Sequence, residues 1–113
     1  MLNHIVLVGR LLSDPKIFKT DTGKKVTSII LAVPRTFKNS HGDYETDFVK
    51  CVLWDGIATN TAEHCRKGNI VAIKGRLQTR ETKPDDPFSH IMEVVTEKIT
   101  FLTFNDHNRE AVE

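Results

Sequence analysis

Along most of this chain apolar and polar positions alternate with the period of a strand, and one stretch alone has the period of a helix. Residues 3–12 open on a continuous apolar run, Ile5-Val6-Leu7-Val8, closed by Gly9-Arg10. Such a run reads as a strand buried on both faces, inside the domain or against a second subunit. Asp14-Pro15 marks a turn, and residues 16–20 read as a short strand. Asp21-Thr22-Gly23-Lys24 has the composition of a hairpin turn, with glycine supplying a positive φ. Residues 26–33 alternate Val26, Ser28, Ile30 and Ala32 with Thr27, Ile29, Leu31 and Val33, a strand rich in β-branched side chains. Pro34 has no N–H to give a ladder, so pairing is expected to end there or to lie at an edge. Residues 39–43 form a second hairpin loop, and residues 44–54 a further strand.

Residues 57–66 carry the helical period. Ile57, Ala58, Thr61, Ala62 and Cys65 make one apolar stripe, and Lys67-Gly68 supplies a cation and a stop. Residues 70–82 return to strand: Val71, Ile73, Gly75 and Leu77 on one face, Ala72, Lys74, Arg76, Gln78 and Arg80 on the other. A loop around Pro84 and Pro87 leads to a last strand, 90–104, in which Phe101 and Phe104 are expected to close the core. The order is three main strands, a short helix and two strands. This predicts an all-β domain: a five-stranded Greek-key barrel of the OB type, with the helix between strands 3 and 4 plugging one end. The domain is expected over 1–104, followed by a short flexible polar tail over 105–113.

The strand 44–54 holds the most informative face. Period two puts Phe48, Lys50, Val52 and Trp54 on one side and Asp47, Val49, Cys51 and Leu53 on the other. An ammonium between two large rings is a poor core face, because burying it without a partner is costly. It suits a platform on which bases stack with a phosphate contact between them, which points to single-stranded nucleic acid. Phe37, at the end of the preceding strand, is a further candidate ring. The cationic row Lys74, Arg76 and Arg80 is a candidate phosphate track.

Composition changes this picture little. A chain of 113 residues supports one core. Net charge is +1, but residues 1–83 hold 14 Lys and Arg against 8 Asp and Glu, and residues 84–113 hold 2 against 7. A basic body with an acidic last quarter suits an anionic polymer bound on one side. No apolar run is long enough to cross a membrane, and no secretory or transit pattern opens the chain, so a cytoplasmic, nucleoid-associated place is expected. Cys51 and Cys65 fall on predicted buried faces and read as reduced structural thiols. The five histidines are scattered and no CxxC occurs, so no metal or cofactor is expected. No pair of carboxylates or nucleophile–base constellation points to an enzyme.

Taken together, several segments resemble the bacterial single-stranded DNA-binding protein family. They are residues 3–12 (NHIVLVGRLL) with Asp14-Pro15, Leu31-Ala32-Val33 running to Phe37, residues 47–54 (DFVKCVLW), Arg66-Lys67-Gly68, Gly75-Arg76-Leu77-Gln78-Thr79-Arg80 and Glu93-Val94-Val95. In order and spacing they cover residues 2–102. The resemblance implies an OB fold, a homotetramer, and sequence-tolerant binding that protects single-stranded DNA in replication, recombination, repair or DNA uptake. It places the family's stacking aromatics on Phe37, Phe48 and Trp54, and its cations on Arg10, Lys50, Arg66, Lys67, Arg76 and Arg80.

Two departures stand out. The family usually carries Trp or Tyr where this chain has Thr82, which predicts weaker binding or a changed strand path there. Housekeeping members carry a long Gly/Gln/Pro-rich linker and an acidic tip; this chain reads either as a short form without them or as a truncated sequence. A rival reading is an OB-fold interaction module that binds replication or recombination proteins and touches DNA weakly.

Overall fold

A computed structural model describes residues 1–86 and 88–103. Six strands and one helix follow in the order β1 (Ile5–Leu11), β2 (Phe18–Lys19), β3 (Lys25–Lys38), β4 (Tyr44–Trp54), α1 (Asp55–His64), β5 (Ile70–Glu81) and β6 (His90–Phe101). Five of them form a closed barrel. The sheet order is β1-β5-β6-β4-β3, and β1 pairs with β3 at Arg10–Ala32 and Leu11–Leu31 to complete the circle. The two-residue β2 lies on the outer edge of β3. All ladders are antiparallel except that of β4 and β6, which run parallel at Cys51–Val94 and Val52–Val95. The predicted OB architecture is therefore present, with its helix after the third barrel strand.

Inward positions alternate as a strand requires. Leu11, Ile29, Leu31, Cys51, Leu53, Val71, Ile73 and Val94 are buried, and Ala58 and Cys65 join them from α1 and its end. The helix begins two residues earlier than its stripe predicts. Asp55, at φ 49°, turns the chain straight from β4 into α1 without a loop. At the other end the Arg66 guanidinium donates to the Ala62 and Cys65 carbonyls at 2.7 and 2.8 Å, occupying acceptors that the helix leaves free.

Two glycines are fixed by close approach. A Cβ on Gly9 would lie 2.8 Å from the Ala32 carbonyl oxygen, where β1 crosses onto β3 to close the barrel. A Cβ on Gly75 would collide with the Val95 carbonyl, at a bulge where pairing slips from Lys74–Lys98 to Gly75–Thr96.

Beyond these points two hairpins project as arms. β1 reaches no further than Gly75 on β5 and Ala32 on β3. β3 therefore continues through Pro34, opposite Thr46, with β4 as its one partner. Pro34 does not end the strand; one open edge lets the ladder tolerate the missing donor. The first strand also departs from its reading. Ile5 and Leu7 pack on the core, whereas Val6 and Val8 point outward and are 71% and 51% exposed. A barrel wall has an outside, so the Ile5–Val8 run is not buried within the domain. The expected closing role of Phe104 and the expected tail over 105–113 lie outside the described residues. No described helix is long and apolar enough to cross a membrane.

Candidate nucleic-acid interface

The ladder registers fix which side chains share the outer face of the sheet, because directly opposed residues point the same way. Three cross-strand rows result. Phe18, Val26 and Trp54 are opposed across β2, β3 and β4. Ser28, Val52, Val95 and Arg76 run across β3, β4, β6 and β5. Arg10, Ala32 and Phe48 run across β1, β3 and β4. Lys50 lies between the last two rows, opposite Ile30. Phe48 is 64% exposed and Trp54 39%, while Cys51 and Leu53 behind them are fully buried. The rings that flank Lys50 thus face solvent on the side away from the core.

One residue organises the cations and was not singled out from sequence. Glu93, opposite Gln78 on the β5–β6 arm, is only 7% exposed. Its Oε2 lies 3.5 Å from Lys50 Nζ and 3.9 Å from Arg80 Nη2. A carboxylate this buried persists because it is paired. It draws a cation from β4 and one from β5 to the same place and leaves one positive charge in excess. Arg76 Nη1 donates to Gln78 Oε1 at 2.7 Å on the same arm. A charged residue inside the run Ile91-Met92-Glu93-Val94-Val95 was the signal. Lys50 becomes its partner through the parallel pairing of β4 with β6, and Arg80 through the antiparallel pairing of β5 with β6.

The remaining predicted residues are spread more widely. Phe37 is exposed near the tip of the β3–β4 arm, where Tyr44 carries Lys38 Nζ 5.8 Å from its ring centre. Arg10 donates to the Gly68 carbonyl at 2.7 Å, so it also ties β1 to the loop after α1. Arg66 is engaged by the end of α1, and the Lys67 backbone N–H donates to Asp14. Lys74 stands apart, in a row with Val6 and Lys98 and away from the Trp54 and Phe48 rows. Arg35 is held by Asp47 and Glu45, with contacts at 2.9 and 2.6 Å. Its hydrogen bonds to Asp47 raise the Arg35 pKa and lower that of Asp47. Thr82 donates both N–H and hydroxyl to the Ser89 carbonyl, closing the β5–β6 hairpin. Phe88 is exposed at that tip.

Both cysteines are free and buried, and burial pushes their thiols up to about 12 for Cys51 and about 11 for Cys65. Among the described residues no three His, Cys, Asp or Glu side chains gather as a metal site.

An OB barrel that turns paired rings and cations outward is the architecture of a single-strand binder. Residues 2–102 match the model of the single-strand binding protein family, and the chain belongs to that family. Among curated relatives it is similar to single-stranded DNA-binding protein B of Bacillus subtilis (strain 168), with 41% identity over 103 residues, 90% of this chain and 91% of that one. It is also similar to single-stranded DNA-binding protein 2 of Listeria innocua serovar 6a, with 42% identity over 108 residues, 95% of this chain and 68% of the relative. The fold matches the crystal structure of a deletion variant of the single-stranded DNA binding protein from Thermus aquaticus. The TM-score is 0.75 at 24% identity, over 90% of this chain and 51% of that one.

Proposed function

We propose that this protein binds single-stranded DNA without sequence preference and keeps it unpaired during replication, recombination, repair or DNA uptake. The observation that carries this reading is the two-sidedness of β4: Phe48 and Trp54 stand in solvent on either side of Lys50, over a fully buried Cys51 and Leu53. Bases stack on Phe37, Phe48 and Trp54. Phosphates contact Lys50, Arg76 and Arg80, with Arg10, Arg66 and Lys67 on the flank. Every base offers a π-face, so such a platform discriminates little between sequences. Holding a strand this way needs no chemical step and no cofactor. The relatives are named for single-stranded DNA binding, which favours this reading over a protein-interaction module.

The protein acts as a homotetramer. Exposed Val6 and Val8 on β1 support this, together with the hollow of about 290 Å³ that Val8, Ala32, Pro34 and Ile70 help to line. An outward apolar strand face of this kind is stabilised when a second copy covers it. Lysine at Val6 and Val8 lowers the mass measured in solution; an unchanged mass contradicts this contact.

The binding reading is tested with dT oligomers. Trp54→Ala and Phe48→Ala each weaken binding by about 1–3 kcal/mol. Unchanged affinity in both folded variants contradicts the platform.

A further inference from the structure

We propose that the nucleic-acid track continues past Trp54 onto the β1–β3 connection, where Phe18 and Lys16 form one more nucleotide subsite. The base lies on the Phe18 ring and its phosphate against the Lys16 ammonium. This rests on the binding function proposed above and extends it to a hairpin that neither the family's aromatic positions nor the cationic row includes.

The geometry begins with the ladder. Phe18 is opposed to Val26, and Val26 to Trp54, so the phenyl and the indole share one face on either side of a valine. Strands lie about 4.8 Å apart, which puts the two rings about 10 Å from each other along that row. Phe18 is 63% exposed, although it is a large apolar side chain on a sheet edge. Among the described residues no aromatic pair or cation–π contact engages it.

A hollow of about 440 Å³ opens beside the ring. Asp14, Lys16 and Phe18 of the β1–β3 connection line it, together with Val26 and Ser28 of β3. That volume falls within the range of about 300–1,000 Å³ typical of small-ligand sites.

The charge around it suits an anion. Lys16, Lys19, Lys24 and Lys25 are all exposed, and none is in an ion pair among the described residues. Two nearby carboxylates each accept a backbone N–H and keep their negative charge. Asp14 accepts from the Lys67 N–H at 2.7 Å, and Asp55 accepts from the Lys25 N–H at 3.3 Å. With Asp21 at the exposed turn they make three negative charges against four positive ones, an excess of one positive charge. An exposed ring beside an exposed cation repeats the ring-and-lysine arrangement of Phe48 and Lys50 one strand beyond the barrel, here without the carboxylate partner that Glu93 gives Lys50.

The test moves the single indole. A chain carrying Trp54→Phe and Phe18→Trp keeps an aromatic at both positions and reports only from position 18. Titration with long dT oligomers is expected to quench its emission. Phe18→Ala alone is expected to weaken binding of long dT by roughly five- to a hundredfold, and to leave unaffected an oligomer too short to pass Trp54. An unchanged emission from position 18, while Trp54 of the unaltered chain is quenched, overturns the subsite and leaves the main face standing. Failure of both indoles to respond removes the binding function and the subsite with it. A change of solution mass in Phe18→Ala, with dT affinity intact, also overturns the proposal, because Phe18 then belongs to a contact between copies. If Phe18→Ala does not fold, the indole at position 18 still decides.

Discussion

The two faces of β4 differ as sharply as any two parts of this molecule, though they are built from alternate residues of one strand. Cys51 and Leu53 reach no solvent, while Phe48 and Trp54 on the opposite side are exposed on either side of a lysine. The inward face answers to packing, where each methylene removed leaves a void. The outward face answers to a partner that brings flat rings and negative charge. Hydrophobicity alone does not separate them, since the largest apolar side chains of the strand are on the outside. Charge does: Lys50 is paired with Glu93 and remains a third exposed, and Arg80 joins it from the neighbouring arm.

Substitutions on the two faces break this comparison in opposite ways. The largest effect belongs to the core: Leu53→Ala lowers unfolding free energy by about 2–5 kcal/mol. Denaturant melts check this, and dT affinity of the remaining folded protein stays close to that of the unaltered chain. Trp54→Ala gives the reverse pattern, with dT binding weakened and the melt little changed. Next comes the cation row. Arg80→Ala reduces the slope of log K against log salt by about 0.7, the value for one phosphate contact on a single strand. A slope that does not move places Arg80 off the phosphate path.

The smallest effect concerns the β3–β4 arm. The Asp47 carboxyl sits below its usual pKa because Arg35 hydrogen-bonds it. Its contribution is therefore present above the ordinary carboxylate range and is lost as pH falls through the lowered value. Asp47→Asn therefore lowers stability slightly near neutral pH, leaves it unchanged below both pKa values, and flattens that limb of an acid-unfolding profile.

Much of this was legible in the chain. β4 has the bounds its alternation predicts, and the hairpin glycines Gly23 and Gly42 take φ of 86° and 82°. The cysteines fall on buried faces, as their strand and helix periods predict. Local signals were strong there because turn chemistry and period act within a few residues. What was not legible depends on pairing between distant strands. Glu93 reads as a stray charge until parallel β4 and β6 bring Lys50 beside it. Lys74 shares a strand face with Arg76, yet its own row holds Val6 and Lys98, which only the registers of β5 with β1 and β6 reveal. Val6 and Val8 read as buried inside the domain or against a second subunit, and the barrel, by giving their strand an outer surface, removes the first of these. Pro34 fits either a strand end or an edge, and only the point at which β1 stops short selects the edge.

Trp54 is the sole tryptophan of the chain, so its emission reports the outer face of β4 directly. Titration of the unaltered protein with dT oligomers should quench that emission in a saturable way, and rising salt should reverse it. Emission that stays constant at dT concentrations where binding is seen by another method would mean that the strand does not lie on the Phe48–Lys50–Trp54 face, and would contradict the stacking platform outright.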